Sequence, residues 1–526
     1  MFATLVGCFP KAGAWLPADD RRISNTLSSS SWRARPQFHE AWMARLLRLT
    51  TERSAAIIVF LLLFAMAARV SADPDMWWHL RLGEYILETG NPVYADIFSH
   101  THAGQLHRNH SWLAQLVMFG LWRLAGHLGL TLYVSALAAS GMFFLYRVGR
   151  GSVYMQGFVL VIGGACAAAF WSPRPQMFTF LFSALLVFNL FELKYRRRDH
   201  LWHLPPLFAI WGNCHGGWII GFLFLGAFIL GEWINQAAAL GGSRIPAAKQ
   251  RKLLLMALLS LALLPINPLG LEVFAVPFNT IGIGGLQHYI QEWQSPDFNQ
   301  PYTWGFIMLL LLAVAALVGS ARRPDATEYF LLGGMLLMAL LSGRNLPLFA
   351  IASAPIITIH INDLLSRRGW ALPYRERETP RRLLINVSLI GLVALGVLLR
   401  VQYVSSEKTV NAAVAMNWPV HAVERLNSLA LEGKLFNSYN WGGYLLHAAP
   451  GYPVFIDGRT DLYASFLDEY AAAYGASAWH EVFDKWAIDI ALVESDGSLA
   501  IALEAAQNWR LDYADEVASI FLRNQA

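Results

Sequence analysis

The chain has 526 residues, 56% hydrophobic and only 14% charged, against about 25% charged in ordinary soluble proteins. That excludes a soluble globular protein and marks a polytopic membrane protein. A net charge of +4 gives no basis for a nucleic-acid partner, and the three cysteines, Cys8, Cys166 and Cys214, fit no metal or disulfide spacing.

Residues 1–42 carry no sustained periodic pattern and include SNTLSSSSWRARP, so they read as a poorly ordered tail, with Met43 as an alternative start. Arg45, Arg48 and Arg53 precede the first apolar run, 55–70. Val70-Ser71-Ala72 has the form of a signal-peptidase site. Retention as a first membrane span is the preferred reading, because a cut there would detach the following loop from its anchor.

That loop, residues 71–112, contains DPDMWWHLRLGEYILETGNPVYADIFSHTHAGQLHRNHSW and is the densest polar stretch of the chain. Asp73 suits a helix N-cap, Pro74 the first helical position and Asp75 the first turn, where the helix dipole favours negative charge. The spacing predicts an amphipathic helix with Met76, Leu80, Gly83 and Leu87 on one face and Trp77, Arg81, Glu84 and Glu88 on another, ended by Gly90 and Pro92. A helix start does not account for Asp96, Ser99, His100, Thr101, His102, His107, Arg108, Asn109 and His110 in one loop; loops of such length and content are functional or disordered. His79, Asp96 and His110 are candidate acceptor or loop contacts.

Further apolar runs lie at 128–146, 153–171, 177–193, 201–211, 218–234, 253–266, 304–318, 329–341, 346–361 and 383–399, for about eleven spans in all. Alternate loops are basic: Arg147 and Arg150; Lys194 and Arg196 to Arg198; Arg244, Lys249, Arg251 and Lys252; Arg322 and Arg323; and Arg367 through Arg382. Basic loops face the cytoplasm, which puts the N-terminus inside and the acidic loop outside. The opposite loops are chemically richer: SPRPQ, WGNCHGGW, NPLG, HYIQEWQSPDF and SGRNLP. Few charges interrupt the apolar runs and no paired repeat is visible, against an ion-coupled carrier. Residues 43–404 thus form the transmembrane domain. Residues 405–526 read as an outward-facing soluble α/β domain, with helices near 420–431, 466–474, 479–486 and 498–508, strands at 435–437, 454–456 and 488–493, and two short closing strands.

Arg174 and Arg344 are outward cations beside prolines, suited either to lipid headgroups or to a phosphate; His215 in WGNCHGGW is a further candidate. The loop histidines are too irregularly spaced for a metal motif. A divalent cation, Mg or Mn, held by Asp73 and Asp75 together with water and substrate oxygens is the candidate cofactor. Asp457 and Arg459 in FIDGRTDLY read as a structural ion pair after a turn.

An acidic pair in the first external loop, many spans and an outward C-terminal domain resemble the GT-C superfamily of membrane glycosyltransferases. DPDMWWHL, NPVYADIFSHT, WGNCHGG, SGRNLPLFA and FIDGRTDLY together resemble a bacterial subgroup of it. The resemblance implies a lipid-linked donor, usually a polyprenyl-phosphate sugar, attacked with inversion by a hydroxyl of an envelope glycan, lipid or protein at the outer face of the bacterial inner (plasma) membrane. Asp73 or Asp75 would be the base, and Arg174, His215 and Arg344 would bind the donor phosphate. The competing readings are a non-enzymatic transporter of lipid-linked glycans and an assembly scaffold.

Overall fold

A backbone in lipid has to satisfy its own hydrogen bonds, and each of the apolar runs forms a helix among the described residues. The computed structural model describes residues 49–238, 243–282, 290–370, 378–429 and 431–524; the expected tail, 1–42, lies outside them. In chain order the helices of the first 405 residues are α1 (Thr51–Ala67), α2 (Pro74–Thr89), α3 (Trp112–Val148), α4 (Val153–Ala168), α5 (Gln176–Arg196), α6 (Leu204–Cys214), α7 (Trp218–Ala237), α8 (Ala247–Leu263), α9 (Val276–Ile281), α10 (Trp304–Gly319), α11 (Ala326–Leu341), α12 (Leu346–Arg367) and α13 (Pro380–Ser405). By length and composition, six described helices can cross a membrane, those formed by α3, α5, α7, α10, α12 and α13; α4 and α11 are shorter and apolar. With 11 residues, α6 is only about 16 Å long, roughly half a hydrocarbon core.

Side-chain exposure separates a helix at the centre of the bundle from helices at its rim. α12 is buried without a break from Leu346 to His360, whereas Leu255, Leu311 and Leu392 on α8, α10 and α13 are 58%, 64% and 68% exposed. Such an apolar outer belt matches lipid contact. At the end of the bundle that carries the basic loops, buried charges pair across helices: Lys194 of α5 with Glu232 of α7 and, at 2.9 Å, Asp325, and Tyr195 and Arg322 with Glu328 of α11. α3 contains a break at Ala125 and Gly126, the latter at φ 54, and only its second part corresponds to the expected span.

The polar loop folds as the sequence predicts at its start. Asp73 Oδ1 accepts from Asp75 N–H at 2.9 Å, Pro74 opens α2, and Gly90 closes it at φ 70. The faces differ from the expectation: Trp77 is buried and Leu87 is 54% exposed, because α2 packs both on α3 and on the C-terminal region. Beyond it, β1 (Val93–Ala95) pairs antiparallel with β2 (Leu106–Arg108).

After α13 come α14 (Glu407–Ala415), α15 (Val420–Leu429), β3 (Lys434–Asn437), α16 (Tyr439–Ala448), α17 (Leu467–Tyr474), α18 (Trp479–Trp486), β4 (Ile488–Glu494), α19 (Ser498–Glu504), β5 (Trp509–Ala514) and β6 (Ala518–Arg523). The sheet order is β3-β4-β6-β5, with β3 and β4 parallel and the rest antiparallel. Residues 454–456, expected as a strand of this sheet, instead join the polar loop: Val454 N–H donates to Phe98 O and His100 N–H to Val454 O. The Thr101 hydroxyl donates to Phe455 O at 2.7 Å.

This junction is locked by Arg459, which donates to Asp457 Oδ2 at 2.6 Å and to Asp96 Oδ1 at 2.5 Å, with all three side chains fully buried. The expected ion pair is present, and Asp96, a candidate acceptor or loop contact, is sealed inside, accepting also from Ser99. Burial opposes its charge, and Arg459 more than offsets that, holding its carboxyl below the usual range. Breaking a buried pair by removing one partner costs about 3–5 kcal/mol. Arg459→Met is accordingly expected to lower the thermal midpoint sharply in detergent; an unchanged midpoint would show the pair to be dispensable.

Candidate active site

Asp73 and Asp75 stand at the N-terminus of α2, where the chain leaves α1, and a loop from another part of the bundle reaches them. Arg174, between Pro173 and Pro175, donates from Nε to both oxygens of Asp73 at 2.7 and 2.8 Å. Its Nη1 lies 3.0 Å from Asp75 Oδ2 and 3.3 Å from Glu292 Oε2. One guanidinium therefore sits among three carboxylates. Burial works against its charge, but the three acids hold Arg174 well above its usual value.

The two aspartates differ in environment. Asp73 is engaged twice over, by the helix cap and by Arg174. Asp75 keeps Oδ1 for Trp78 Nε1–H at 3.0 Å. Burial pushes its carboxyl up to about 6, aided by Asp73 and Glu292 and opposed by Arg174 and the Trp78 hydrogen bond.

The C-terminal region roofs this pair, and its Gly motifs find their reason there. A Cβ on Gly458 would stand 2.5 Å from Trp78 Nε1 and nearer still to Asp75 Oδ1; one on Gly443 would stand 2.8 Å from Pro74 O. Only glycine lets the Gly458 turn and the first part of α16 approach the start of α2 so closely. Tyr439, bonded to Thr460 at 2.8 Å, is half-buried, and desolvation followed by the Asp75 charge raises its hydroxyl.

Arg344 approaches from the start of α12. Its guanidinium lies 4.1 Å from the centre of the Trp293 ring, a cation–π contact, and Asp75, Glu292 and Arg174 lie within electrostatic reach. The segment carrying Trp293 and Glu292 is tied to it through Ser342 Oγ–H to Glu292 O at 3.0 Å and Gly343 N–H to Gln294 O at 2.9 Å. Among the described residues Arg344 has no carboxylate at ion-pair distance, unlike Arg174.

The expected histidines form a second wall. His215 Nδ1 accepts from Gly217 N–H at 3.0 Å and lies 2.9 Å from the Thr179 hydroxyl, so its ring proton sits on Nε2. His79 Nδ1 takes the amide of Gln115 at 3.1 Å, and Gln115 in turn accepts from Asn109 at 2.6 Å, which puts its proton on Nε2 as well. His110 lies with its ring centre 6.4 Å from that of His215. Burial first, then neighbouring positive charge, keeps His79 and His215 far below the usual imidazole range, so both are neutral hydrogen-bond donors at pH 7. Glu292, Trp78, Gly458 and Tyr439 complete the site and are absent from the sequence-based set. Glu292 lies in HYIQEWQSPDF, a polar stretch with no spacing to connect it to the acidic pair.

No family model matches the sequence, and no curated protein does. Solved structures do match the fold. The oligosaccharyltransferase AglB from Archaeoglobus fulgidus, solved with an inhibitory peptide and a dolichol-phosphate, aligns at TM-score 0.54 and 11% identity over 90% of this chain and 74% of its own. The same organism's oligosaccharyltransferase tethered to an acceptor peptide aligns at 0.51 and 12% over 91% and 74%. ArnT from Cupriavidus metallidurans bound to undecaprenyl phosphate aligns at 0.47 and 12%, over 91% and 98%. The chain shares the fold of the Archaeoglobus fulgidus oligosaccharyltransferase.

Proposed function

We propose that the protein is a membrane glycosyltransferase that moves a sugar from a polyprenyl-phosphate donor to a hydroxyl of an envelope glycan, lipid or protein, at the membrane face that carries Asp73. The observation that carries this reading is the pairing, in one roofed site, of a carboxylate raised to about 6 with a cation left free for a ligand: Asp75 and Arg344. AglB, which shares the fold, is solved with a dolichol-phosphate, which supports a lipid phosphate as the leaving group.

In this reading the acceptor oxygen attacks the anomeric carbon from the face opposite the phosphate. Asp75 takes the hydroxyl proton, the bond from the anomeric carbon to the phosphate oxygen breaks, and polyprenyl phosphate departs with the bonding electrons. A base with a value near the working pH combines ionisation with proton affinity. The charge gathering on the phosphate meets Arg344, whose planar donors match phosphate oxygens, and the Nε2–H of His215. Asp73, tied to Arg174 and the helix cap, orients α2. Purified protein supplied with polyprenyl-phosphate sugars and candidate envelope acceptors is expected to release polyprenyl phosphate and form a glycosylated product of inverted configuration. Folded protein that consumes none of the donors, with or without acceptor, would overturn the proposal.

A further inference from the structure

The candidate divalent cation does not fit the acidic pair as the side chains stand. Asp73 gives both oxygens to Arg174, Asp75 gives Oδ2 to Arg174 and Oδ1 to Trp78, and Glu292 turns to Arg174. A Mg²⁺-like ion needs carboxylate oxygens at about 2.0–2.1 Å around a common centre, and here that centre holds a guanidinium. Among the described residues no three His, Cys, Asp or Glu side chains come together to hold an ion.

We propose that Arg174 is a built-in cation standing where a divalent metal would stand between Asp73, Asp75 and Glu292, so that the site works without one. Its removal then creates a metal site that the native protein lacks. Three carboxylates face one guanidinium, and hard oxygen ligands of this kind can draw in around Mg²⁺ or Mn²⁺ once that cation is removed. The side chain that does supply it is fixed at its root. Arg174 N–H donates to Ser172 O at 2.7 Å, and its carbonyl accepts from Tyr133 Oη at 3.0 Å. A cation attached to the chain cannot be chelated or diluted away. The same arrangement removes Arg174 from the donor-phosphate set and leaves that role to Arg344, so the inference rests in part on the proposed function. Its test does not, because metal binding is read without sugar transfer.

The experiment uses the purified full-length protein in detergent, stripped with EDTA and titrated with Mn²⁺, following the free-ion electron paramagnetic resonance signal and the thermal midpoint. The native protein is expected to take up no more Mn²⁺ than a variant with Asp73→Asn, Asp75→Asn and Glu292→Gln together. Arg174→Ala is expected to gain one further Mn²⁺ at least roughly tenfold tighter than background sites, with a raised midpoint, and to lose it when Asp73→Asn is added. Arg174→Lys, which keeps the charge, should gain none. Uptake by the native protein of one Mn²⁺ that the neutral variant lacks would overturn the proposal, as would a folded Arg174→Ala variant that gains nothing. If Arg174→Ala fails to fold, Arg174→Met takes its place under the same two outcomes, and the native comparison decides independently.

Discussion

Asp75→Asn is expected to slow sugar transfer by about 10²–10⁴-fold, the usual worth of a general base, while leaving the protein at least as stable at pH 7. The two effects share one cause. With its carboxyl raised to about 6 from an unfolded value of about 3.9, Asp75 is protonated in both states below roughly pH 4. As pH rises from there the unfolded chain ionises first, so the folded state is progressively penalised until about pH 6 and carries the full penalty above it. Asparagine never ionises. Any stability gain of the variant over the native protein should therefore be present at pH 7 and vanish toward pH 4. Native transfer should climb with pH through a midpoint near 6. If Asp75 served only the helix dipole, the substitution would forfeit about 0.3–1 kcal/mol and leave transfer untouched; that result, at normal protein levels, would return the acidic pair to a capping role.

The second large effect is expected at Arg344. Removing one preorganised donor from a developing oxyanion costs about 10²–10³-fold in kcat, and Arg344→Ala should lose at least that, with a higher KM for the donor as its phosphate loses a ground-state partner. Arg344→Lys should recover part of the loss, since it restores charge without the planar fork that lies over Trp293. Unchanged kcat and donor KM in Arg344→Ala would remove the phosphate assignment. A loss confined to acceptor KM would place the residue on the opposite side of the reaction centre.

The membrane architecture was legible because lipid leaves the backbone few choices: each apolar run became a helix, and the Asp73, Pro74 and Gly90 signals marked both ends of α2. What escaped was decided between distant segments. Glu292 reaches Arg174 from 118 residues away, and no local pattern announces it. Val454 has the composition of a strand in its own sheet, yet pairs with Phe98 and His100, because the polar loop offers it an open edge. Periodicity alone groups Trp77 with Arg81, Glu84 and Glu88, since the sequence of α2 does not reveal that two bodies cover the tryptophan. The distinction between Arg174 and Arg344, equivalent as isolated cations near prolines, appears only when their partners are in place.

The Asp96–Arg459 bond spans 363 residues, and that separation bears on how the protein is made. At about 5–20 residues per second, the ribosome takes roughly 20–70 s to deliver the second partner after the first. Throughout that interval α2 has neither its roof nor the Gly458 turn above Asp75, while the early helices are already entering the bilayer. The surroundings of Asp75 are thus among the last parts of the molecule to be assembled. A nascent or truncated chain can occupy the membrane before that site is finished.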